Sequence, residues 1–366
     1  MSDHAQEDAM IEAATVSRRR MMRLGAASAV GGLAAAGVVA SASPAGAEEP
    51  NDWHVVNPGG SIQNALNDAE NAGGGIVYLE AGVHPVTSKL TMGENIILRG
   101  AGANTVLETR ANIGWVIELK PRSQGSAIED LRIFGLANSY NAGGIRVNTQ
   151  GPSLFSGSDS YVSLRNLFIH NTRKQGVLVE NGTREARMHN VVVLSSRDEH
   201  CIEFNGVDSI LSDCTAASAG NGHAGPTAHG FLIGGGNNRL TGCKAFYNAG
   251  SGFHISGNRG QLSACQAQDN YVDGIRLDNA QDVALSACCA DSNQWVGLRI
   301  RNSAAVTCDS FSSFSRNGVE FTQNYGIRLQ NSTHSRVTGV SRNNNTQLHV
   351  DGASAPTCDA SGVIEA

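Results

Sequence analysis

A glycine followed by alternating apolar residues recurs along the second half of the chain, and this repeat limits the possible folds more than any other feature. Four consecutive copies begin at Gly230, Gly252, Gly274 and Gly297, which are 22, 22 and 23 residues apart. The residues one and three places after each glycine are apolar and the residue between them is mostly polar, as in a β-strand with one buried face. A repeat of about 22 residues made of such strands predicts one coil of a β-solenoid, because stacked coils bury the faces that a single coil leaves exposed.

Two further residue types recur at fixed places in this repeat, a cysteine at an inward position and an asparagine at a turn. They are Cys214, Cys243, Cys265 and Cys288, and Asn248, Asn270 and Asn293. We predict that the cysteines form a column of mostly free thiols that pack as small apolar groups, and the state of Cys289, Cys308 and Cys358 stays open. Asparagine tolerates left-handed backbone angles at turns, and stacked asparagines are expected to hydrogen-bond to one another.

These repeats and the asparagine column resemble the pectin-lyase-like right-handed parallel β-helix superfamily, over most of the chain after about residue 55. The resemblance implies an all-β fold, a single-domain right-handed parallel β-helix. The segment from Pro58 to Ala69 resembles the helix that caps the N-terminal end of such proteins, with Ser61 as N-cap and one apolar stripe. No single activity is implied, since the superfamily includes lyases, hydrolases, epimerases, transferases and non-catalytic surface proteins.

The first 47 residues have the pattern of an export signal. Adjacent arginines in Ser17–Arg23 precede a weakly apolar run from Leu24 to Val39, and Ala45-Gly-Ala47 fits a cleavage site. This pattern predicts a twin-arginine signal peptide and a mature domain of residues 48–366 that is secreted and does not associate with the membrane after cleavage. An uncleaved membrane anchor is the alternative. The net charge of −6 gives no indication of a nucleic-acid partner.

Three coils are lengthened by insertions, at residues 148–161, 220–229 and 317–324. Loops inserted into a rigid solenoid commonly build binding surfaces. We therefore expect the substrate to lie near these loops, on the outer face of one sheet.

Glu180 and Glu203 are candidate catalytic carboxylates. They are predicted to lie on adjacent coils and two residues out of line, with Cα atoms roughly 8 Å apart. Such a separation suits an acid and a base around a glycosidic oxygen and a water molecule. The alternative is that both only solvate an outer strand, beside Arg146 or Arg184.

The turn before Cys201 is the densest polar cluster of the chain, and it is the best candidate for an active site. It contributes Arg197, Asp198, Glu199 and His200, and the neighbouring coils are expected to add Arg173, Lys174 and His229. Acids and histidines held together in this way can transfer protons, and the cations can bind an anionic substrate. A salt-bridged surface turn is the alternative.

A column of cations follows the middle position of successive strands. It consists of Arg276, Arg299 and Arg328, and His254, a further candidate for substrate binding, holds the same position one coil earlier. Like charges stacked at coil spacing repel one another unless an anion lies between them, and a uronate-bearing glycan would supply such anions. Alternatively, the arginine stems only cover apolar surface. Trp295, expected beside Tyr271 one coil below, is a candidate sugar-stacking platform or a turn cap.

A calcium site is a further possibility because four aspartates lie close together in sequence. They are Asp269, Asp273, Asp278 and Asp282. Ca²⁺ takes several hard oxygen ligands, but this spacing matches no known binding loop. His223 and His229 lack an evident third metal ligand. Cys201-Ile-Glu-Phe-Asn-Gly206 resembles a coil of inulin fructotransferases, whereas the motifs of polygalacturonases, alginate epimerases and calcium-dependent pectate lyases are absent.

Three functions remain open. The leading hypothesis is an exported polysaccharide lyase in which a cation neutralises the uronate and a histidine or arginine takes the C5 proton. The second is a glycoside hydrolase or fructotransferase that uses two of the carboxylates, and the third is a non-catalytic glycan-binding surface protein. A monomer and a side-by-side homotrimer are both compatible with a solenoid.

Overall fold

The computed structural model describes residues 53–121, 123–148, 161–220, 226–319 and 321–366. The predicted signal peptide, residues 1–47, therefore lies outside the described residues. So does a part of each of the three insertions: residues 149–160 of the first, residues 221–225 of the second, which include His223, and residue 320 of the third.

One helix, α1 (Ile62–Asn71), and thirty strands follow one another along the described chain. The first fifteen strands are β1 (Trp53–Val56), β2 (Gly75–Leu79), β3 (Gly82–Val86), β4 (Leu90–Met92), β5 (Ile96–Gly100), β6 (Thr105–Thr109), β7 (Gly114–Leu119), β8 (Ala127–Phe134), β9 (Ala142–Val147), β10 (Ser163–Thr172), β11 (Val177–Val179), β12 (Arg187–Ser196), β13 (Ile202–Phe204), β14 (Ile210–Ser212) and β15 (Thr215–Ala217). The others are β16 (Phe231–Ile233), β17 (Arg239–Thr241), β18 (Lys244–Phe246), β19 (Phe253–Ile255), β20 (Gln261–Ser263), β21 (Gln266–Gln268), β22 (Ile275–Asp278), β23 (Ala284–Ser286), β24 (Cys289–Asp291), β25 (Val296–Arg301), β26 (Thr307–Phe314), β27 (Tyr325–Gln330), β28 (Arg336–Arg342), β29 (Thr346–Val350) and β30 (Asp359–Glu365).

The strands form two stacks of parallel strands that wind around one core. An 11-stranded sheet runs in the order β29-β27-β25-β22-β19-β16-β13-β11-β9-β7-β4, so each strand pairs with its equivalents one coil before and after. The remaining strands belong to a 19-stranded sheet. In this sheet one coil contributes two short strands, such as β17 and β18, and these pair with β20 and β21 of the next coil. The predicted all-β, single-domain right-handed parallel β-helix is confirmed.

Left-handed backbone residues turn the chain from one face of the coil to the next. In one coil Arg259, Ala264 and Asp269 all have positive φ, and they are five residues apart. Asp269 immediately precedes Asn270, and Tyr247 and Ser292 likewise precede the other two ladder asparagines. The left-handed residue of each of these turns is therefore the one before the asparagine, and the asparagine follows the turn.

The asparagine ladder itself is confirmed. Asn248 Nδ2 donates to Asn270 Oδ1 at 2.8 Å, and Asn270 Nδ2 donates to Asn293 Oδ1 at the same distance. Within the third insertion Gln323 replaces the asparagine: Asn293 Nδ2 donates to Gln323 Oε1 at 3.1 Å, and Gln323 Nε2 donates to Asn344 Oδ1 at 2.7 Å. The ladder gives buried amides the hydrogen bonds that the core otherwise lacks.

The ladder leaves no room for a side chain at the repeated glycine. A Cβ on Gly252 would lie 2.7 Å from Nδ2 of Asn270, and a Cβ on Gly274 would lie 2.7 Å from Nδ2 of Asn293. Both contacts are closer than side-chain atoms tolerate, so the ladder amide of one coil excludes any side chain at the glycine of the coil before.

The cysteine column is also confirmed. Each of the four thiols is buried, and Cys243, Cys265 and Cys288 donate to the carbonyl oxygens of Leu211, Leu240 and Leu262 at 3.6–3.7 Å. All eight cysteines of the chain are free, which agrees with the prediction for the column. Cys308 is paired with Leu285 rather than with the column.

Helix α1 caps the N-terminal end as predicted. Ser61 Oγ accepts a hydrogen bond from Asn64 N at 3.2 Å, and the buried side of the helix consists of Ile62, Ala65, Leu66 and Ala69. Within the described part of the chain, no helix is long and apolar enough to cross a membrane.

Candidate functional site

The outer face of the 11-stranded sheet carries one outward side chain per coil at the middle strand position. Strand pairing places these residues in the predicted order, which is Arg146, Leu178, Glu203, Leu232, His254, Arg276, Arg299 and Arg328. Parallel strands lie about 4.8 Å apart, so this order in sequence is also an order in space. Along this face the charged and polar side chains are therefore one arginine, then the carboxylate of Glu203, then His254, and then three arginines on successive coils.

Three histidines from successive coils join this face in one hydrogen-bonded chain. The backbone N–H of His229 donates to His200 Nδ1 at 3.0 Å, and the backbone N–H of Ser251 donates to His229 Nδ1 at 2.9 Å. Because a backbone amide can only donate, Nδ1 of both rings is an acceptor and the proton of each ring is on Nε2. His229 Nε2 then donates to His254 Nδ1 at 3.0 Å, which places the proton of His254 on Nε2 as well.

All three imidazoles are held neutral. Burial, together with the neighbouring His254 and His200, lowers the pKa of His229 to about 2. Burial and the charge of Arg276 lower the pKa of His254 to about 4, and burial lowers the pKa of His200. His254 Nε2–H is buried and has no hydrogen-bond partner among the described residues. The chain of histidines thus offers a fixed hydrogen-bond donor on the sheet face and no neutral ring nitrogen that could accept a proton there.

Glu203 is the carboxylate best placed to act as a base. Gln175 Nε2 donates to Glu203 Oε2 at 2.7 Å and Asn205 Nδ2 donates to Oε1 at 3.0 Å. No lysine or arginine of the described chain forms an ion pair with Glu203, and its strand neighbours are Leu178 and Leu232. Glu203 is thus a carboxylate that neutral amides orient between two apolar side chains, without an ion-pair partner among the described residues.

Glu199 lies in the turn before Glu203, where its pKa is raised. The causes are burial, the negative charge of Glu203 and the negative charge of Asp198. Two carboxylates whose environments differ in this way can serve as an acid and a base.

Glu180 and Asp198 are neutralised by arginines instead. Glu180 lies two residues after Leu178, the strand partner of Glu203, as predicted, but it accepts from Arg146 Nε at 2.9 Å. Asp198 accepts from Arg173 Nε at 2.8 Å, and Arg197 Nε lies 3.8 Å from it. The arrangement of these two acids is that of the alternative considered above, surface carboxylates in salt bridges.

The other two predicted cations of the turn also have partners. Arg197 donates from Nη1 to Asn138 Oδ1 at 2.8 Å, and Lys174 Nζ lies 5.9 Å from the centre of the Trp115 ring.

The arginine column is braced by buried aspartates. Arg276 donates to Asp278 Oδ2 at 2.6 Å, and Arg299 Nη2 lies 3.1 Å from Asp273 Oδ1. The Asp273 side chain is fully buried, and burial raises its pKa to about 6 although Arg299 opposes the shift. The buried Nε atoms of the three column arginines, Arg276, Arg299 and Arg328, have no partner among the described residues, and neither has Nε of Arg132. Each guanidinium of the column therefore keeps a hydrogen-bond donor without a partner in the protein.

The aspartates considered as calcium ligands do not gather into a metal site among the described residues. Asp269 accepts from Arg316 at 2.6 Å and Asp278 from both Arg276 and Arg301, so their oxygens bind guanidinium groups. Across residues 53–366, leaving aside the undescribed ones, no group of three or more histidine, cysteine or acidic side chains could hold a metal ion.

Trp295 does not stack beside Tyr271. Its backbone N–H donates to Val272 O, which aligns Trp295 with Val272, and the Tyr271 ring instead contacts Phe321 edge-on at 4.9 Å. Trp295 is 51% exposed and stays available as a surface platform.

A cavity of about 630 Å³ lies on the 19-stranded sheet, and its lining contains none of the predicted site residues. His189, Ser212 and Asp213 meet there, but both Ser212 Oγ and Asp213 Oδ2 approach His189 Nδ1, at 2.9 and 3.6 Å. A catalytic triad needs the serine and the acid on opposite ring nitrogens, so this group is not one.

Comparison with known proteins identifies the fold. Among solved structures, the A-module of mannuronan C-5 epimerase AlgE6 of Azotobacter vinelandii has a TM-score of 0.64 at 16% identity, covering 83% of this chain and 94% of that one. The enzymatically active domain of tailspike protein 2 of bacteriophage CBA120 has a TM-score of 0.64 at 14% identity, covering 82% and 52%. No curated protein sequence matches the chain. The family model described as "Right handed beta helix region" matches residues 154–308 and 200–361, more than half of the sequence, and the chain therefore belongs to the right-handed β-helix family.

Proposed function

We propose that this protein is an exported polysaccharide-active enzyme, and specifically a lyase for an acidic, uronate-containing glycan bound on the outer face of the 11-stranded sheet. One observation carries the proposal. Glu203, a carboxylate without a cationic partner, lies two coils from His254, whose Nε2–H is unpartnered, and the arginine column begins on the next coil.

The spacing of these groups fits one sugar ring. Two coils separate the Cα atoms of Glu203 and His254 by roughly 9.6 Å, with Leu232 between them. A uronate above Leu232 would direct its carboxylate to His254 and Arg276 and its C5–H to Glu203. The aliphatic side chain of Leu232 provides an apolar surface for the ring.

The chemistry is a β-elimination in which Glu203 takes the C5 proton. Arg276 neutralises the uronate carboxylate, and His254 Nε2–H donates a hydrogen bond to the oxygen on which charge develops, as an oxyanion donor does. The C4–O4 bond breaks, a C4=C5 double bond forms, and the proton held by Glu203 can pass to the departing O4. The proposal moves the role of base from a histidine to a carboxylate, because every ring of the histidine chain carries its proton on Nε2.

Similar folds support a polysaccharide substrate. The AlgE6 module is named as a mannuronan C-5 epimerase, and C5 epimerisation begins with removal of the same proton. Proton return to C5 would give an epimer, whereas loss of O4 would give the unsaturated product of a lyase.

A screen of the purified mature chain against alginate, pectate and neutral polysaccharides tests the proposal. We expect near-ultraviolet absorbance from an unsaturated product with at least one uronan and none with neutral glycans. Glu203→Gln should lower kcat by at least about 100-fold, whereas Glu365→Gln, an exposed change on the other sheet, should not. Absence of the unsaturated product with every uronan, or full activity of Glu203→Gln, would contradict a lyase.

A glycoside hydrolase or fructotransferase is the second candidate, and the pairing of Glu199 with Glu203 favours it. The raised pKa of Glu199 suits a general acid, and Glu203 would then be the base or nucleophile. This function predicts new reducing ends, or fructosyl transfer, without ultraviolet absorbance, and loss of activity in both Glu199→Gln and Glu203→Gln. Retention on a polysaccharide column without any product would instead indicate a non-catalytic binding protein.

Export is proposed on the sequence alone, from residues 1–47. N-terminal sequencing of protein secreted by a host with a twin-arginine pathway should begin after Ala47. Arg18 and Arg19 replaced by lysines should leave the precursor inside the cell.

A further inference from the structure

We propose that this site binds the charge of the glycan on one side only: uronates lie over Arg276, Arg299 and Arg328, and the sugar beyond Glu203 is neutral or absent. The inference rests on the proposed function and specifies its substrate. It predicts attack at one end of a homopolyuronate, or at a junction between a uronate and a neutral sugar.

The side toward the C-terminus has cations to spare. Four arginines project from its strands, namely Arg276, Arg299, Arg301 and Arg328, and two aspartates oppose them, Asp273 and Asp278. The three arginines of the column recur once per coil, about 4.8 Å apart. One pyranose unit is about as long as one coil spacing, so consecutive uronates can each reach an arginine.

The Nε donors of this column strengthen the argument for an anionic ligand. They are buried and lack partners, while the same guanidinium groups are fixed at their other ends by Asp278, by Asp273 and by the ring of Tyr325, which lies 4.6 Å from Arg328. A buried donor without a partner is costly, and a carboxylate oxygen would satisfy it.

The side toward the N-terminus has its strand cations neutralised. Arg146 is bound by Glu180 at 2.9 Å and lies 3.8 Å from Glu118, which also binds Lys89 at 2.7 Å. Leu178 occupies the coil between Arg146 and Glu203 and offers no charge.

The polar turn before Cys201 adds no unpaired arginine to the N-terminal side of the site. Lys174 acts on Glu199 there, where its charge lowers the pKa of that carboxyl against the opposite effects of Glu203 and Asp198. Arg173 is paired with Asp198. A uronate on this side would meet the uncompensated charge of Glu203 at close range, whereas a neutral ring would pack on Leu178 without a penalty.

The experiment measures product size and viscosity while the wild-type protein degrades two kinds of glycan. One is a homopolyuronate, alginate or pectate, whichever the protein cleaves. The other is a glycan in which uronates alternate with neutral sugars. On a homopolyuronate we expect small products of constant size from the first minutes and a slow fall in viscosity for each bond broken. On an alternating glycan we expect internal cleavage and a rapid fall in viscosity.

Glu180→Gln is the informative variant. It removes the carboxylate bound to Arg146, so that Arg146 becomes able to bind a uronate, and it should increase internal cleavage of the homopolyuronate several-fold. Arg328→Gln should raise KM for the homopolyuronate about tenfold with little change in kcat. The matched control Glu365→Gln should change neither.

The outcomes separate this inference from the proposed function. If no glycan yields unsaturated product, the lyase proposal fails and the inference with it. If the wild-type protein cleaves a homopolyuronate internally from the start, or Glu180→Gln leaves the product pattern unchanged, the one-sided site is refuted while the lyase proposal stands. Constant small products that become a broad distribution in Glu180→Gln would support the inference.

Discussion

His229 Nε2 donates a hydrogen bond to Nδ1 of His254 at 3.0 Å, and this contact fixes which nitrogen of His254 carries the proton. The direction of the bond follows from the backbone amide of Ser251, which occupies the other nitrogen of His229. The backbone N–H of Ser251 therefore determines, through His229, that His254 is a hydrogen-bond donor at Nε2. His254 lies two coils from Glu203. The solenoid positions both partners rigidly, which favours an electrostatic role over proton transfer.

Replacing His254 should separate donation from proton transfer. His254→Gln keeps an N–H donor and should retain most activity, whereas His254→Phe removes the donor and should lower kcat by about 10²–10³-fold. Steady-state kinetics on the glycan found in the screen measures both, and His189→Phe on the other sheet is the control. Equal losses in His254→Gln and His254→Phe would contradict a donor role.

The neutral histidines should make the fold sensitive to acid. The pKa of His254 falls from 6.5 to about 4 on folding, so its contribution to stability is complete above pH 6.5 and is lost as the pH falls toward 4. For one group this loss is about 3 kcal/mol. His254→Gln has no titrating group there, so its free energy of unfolding should fall less than that of the wild type between about pH 7 and pH 4. Urea denaturation at the two pH values measures the difference, and parallel losses in both proteins would be the contrary result.

The free thiols should be unreactive in the folded protein. Six of the eight cysteines are buried, and Cys289 and Cys358 are half-buried. Burial and the charge of Asp291 raise the pKa of Cys289 to about 11, so little thiolate forms near neutral pH. A thiol reagent should label at most Cys289 and Cys358, slowly, in native protein and all eight in denaturant. Rapid labelling of Cys265 without denaturant would contradict the packed column.

The sequence was sufficient to predict the coil, the order of residues along the sheet, the asparagine ladder and the cysteine column. In a solenoid, residues one repeat apart in sequence lie next to each other on adjacent coils. Glu203, Leu232 and His254 could be placed on consecutive coils in this way. Trp295 was expected beside Tyr271 but aligns with Val272, and the Tyr271 ring packs against Phe321 from the third insertion, a contact that coil spacing does not reveal.

The charge state of the candidate site could not be predicted from spacing. Glu180 and Glu203 occupy comparable outward positions, yet Arg146 neutralises the first while Gln175 and Asn205 orient the second. The ring nitrogen that carries the proton of His200 and of His229 likewise depends on a backbone amide of the following coil, whose direction no residue pattern reveals. Gln175 and Asn205 were overlooked as site residues, although Asn205 belongs to the outward position two places after Glu203.

The asparagine ladder should be a principal source of stability, and Asn270 is its central member. Asn270 Oδ1 accepts from Nδ2 and the backbone N of Asn248, and Asn270 Nδ2 donates to Asn293. Asn270→Ala leaves the buried backbone N–H of Asn248 without a partner and leaves Asn248 Nδ2 only its bond to Ala216 O, which should lower the free energy of unfolding by about 3 kcal/mol. Asn324→Ala, at an exposed turn, removes one amide bond to Asn345 and should cost less than about 1 kcal/mol. Chemical denaturation compares the two, and since Asn270 lies on the turn side of the coil, kinetic constants measured on the folded variants should be unchanged. Similar costs for the two variants would mean that the buried ladder contributes no more than a surface hydrogen bond.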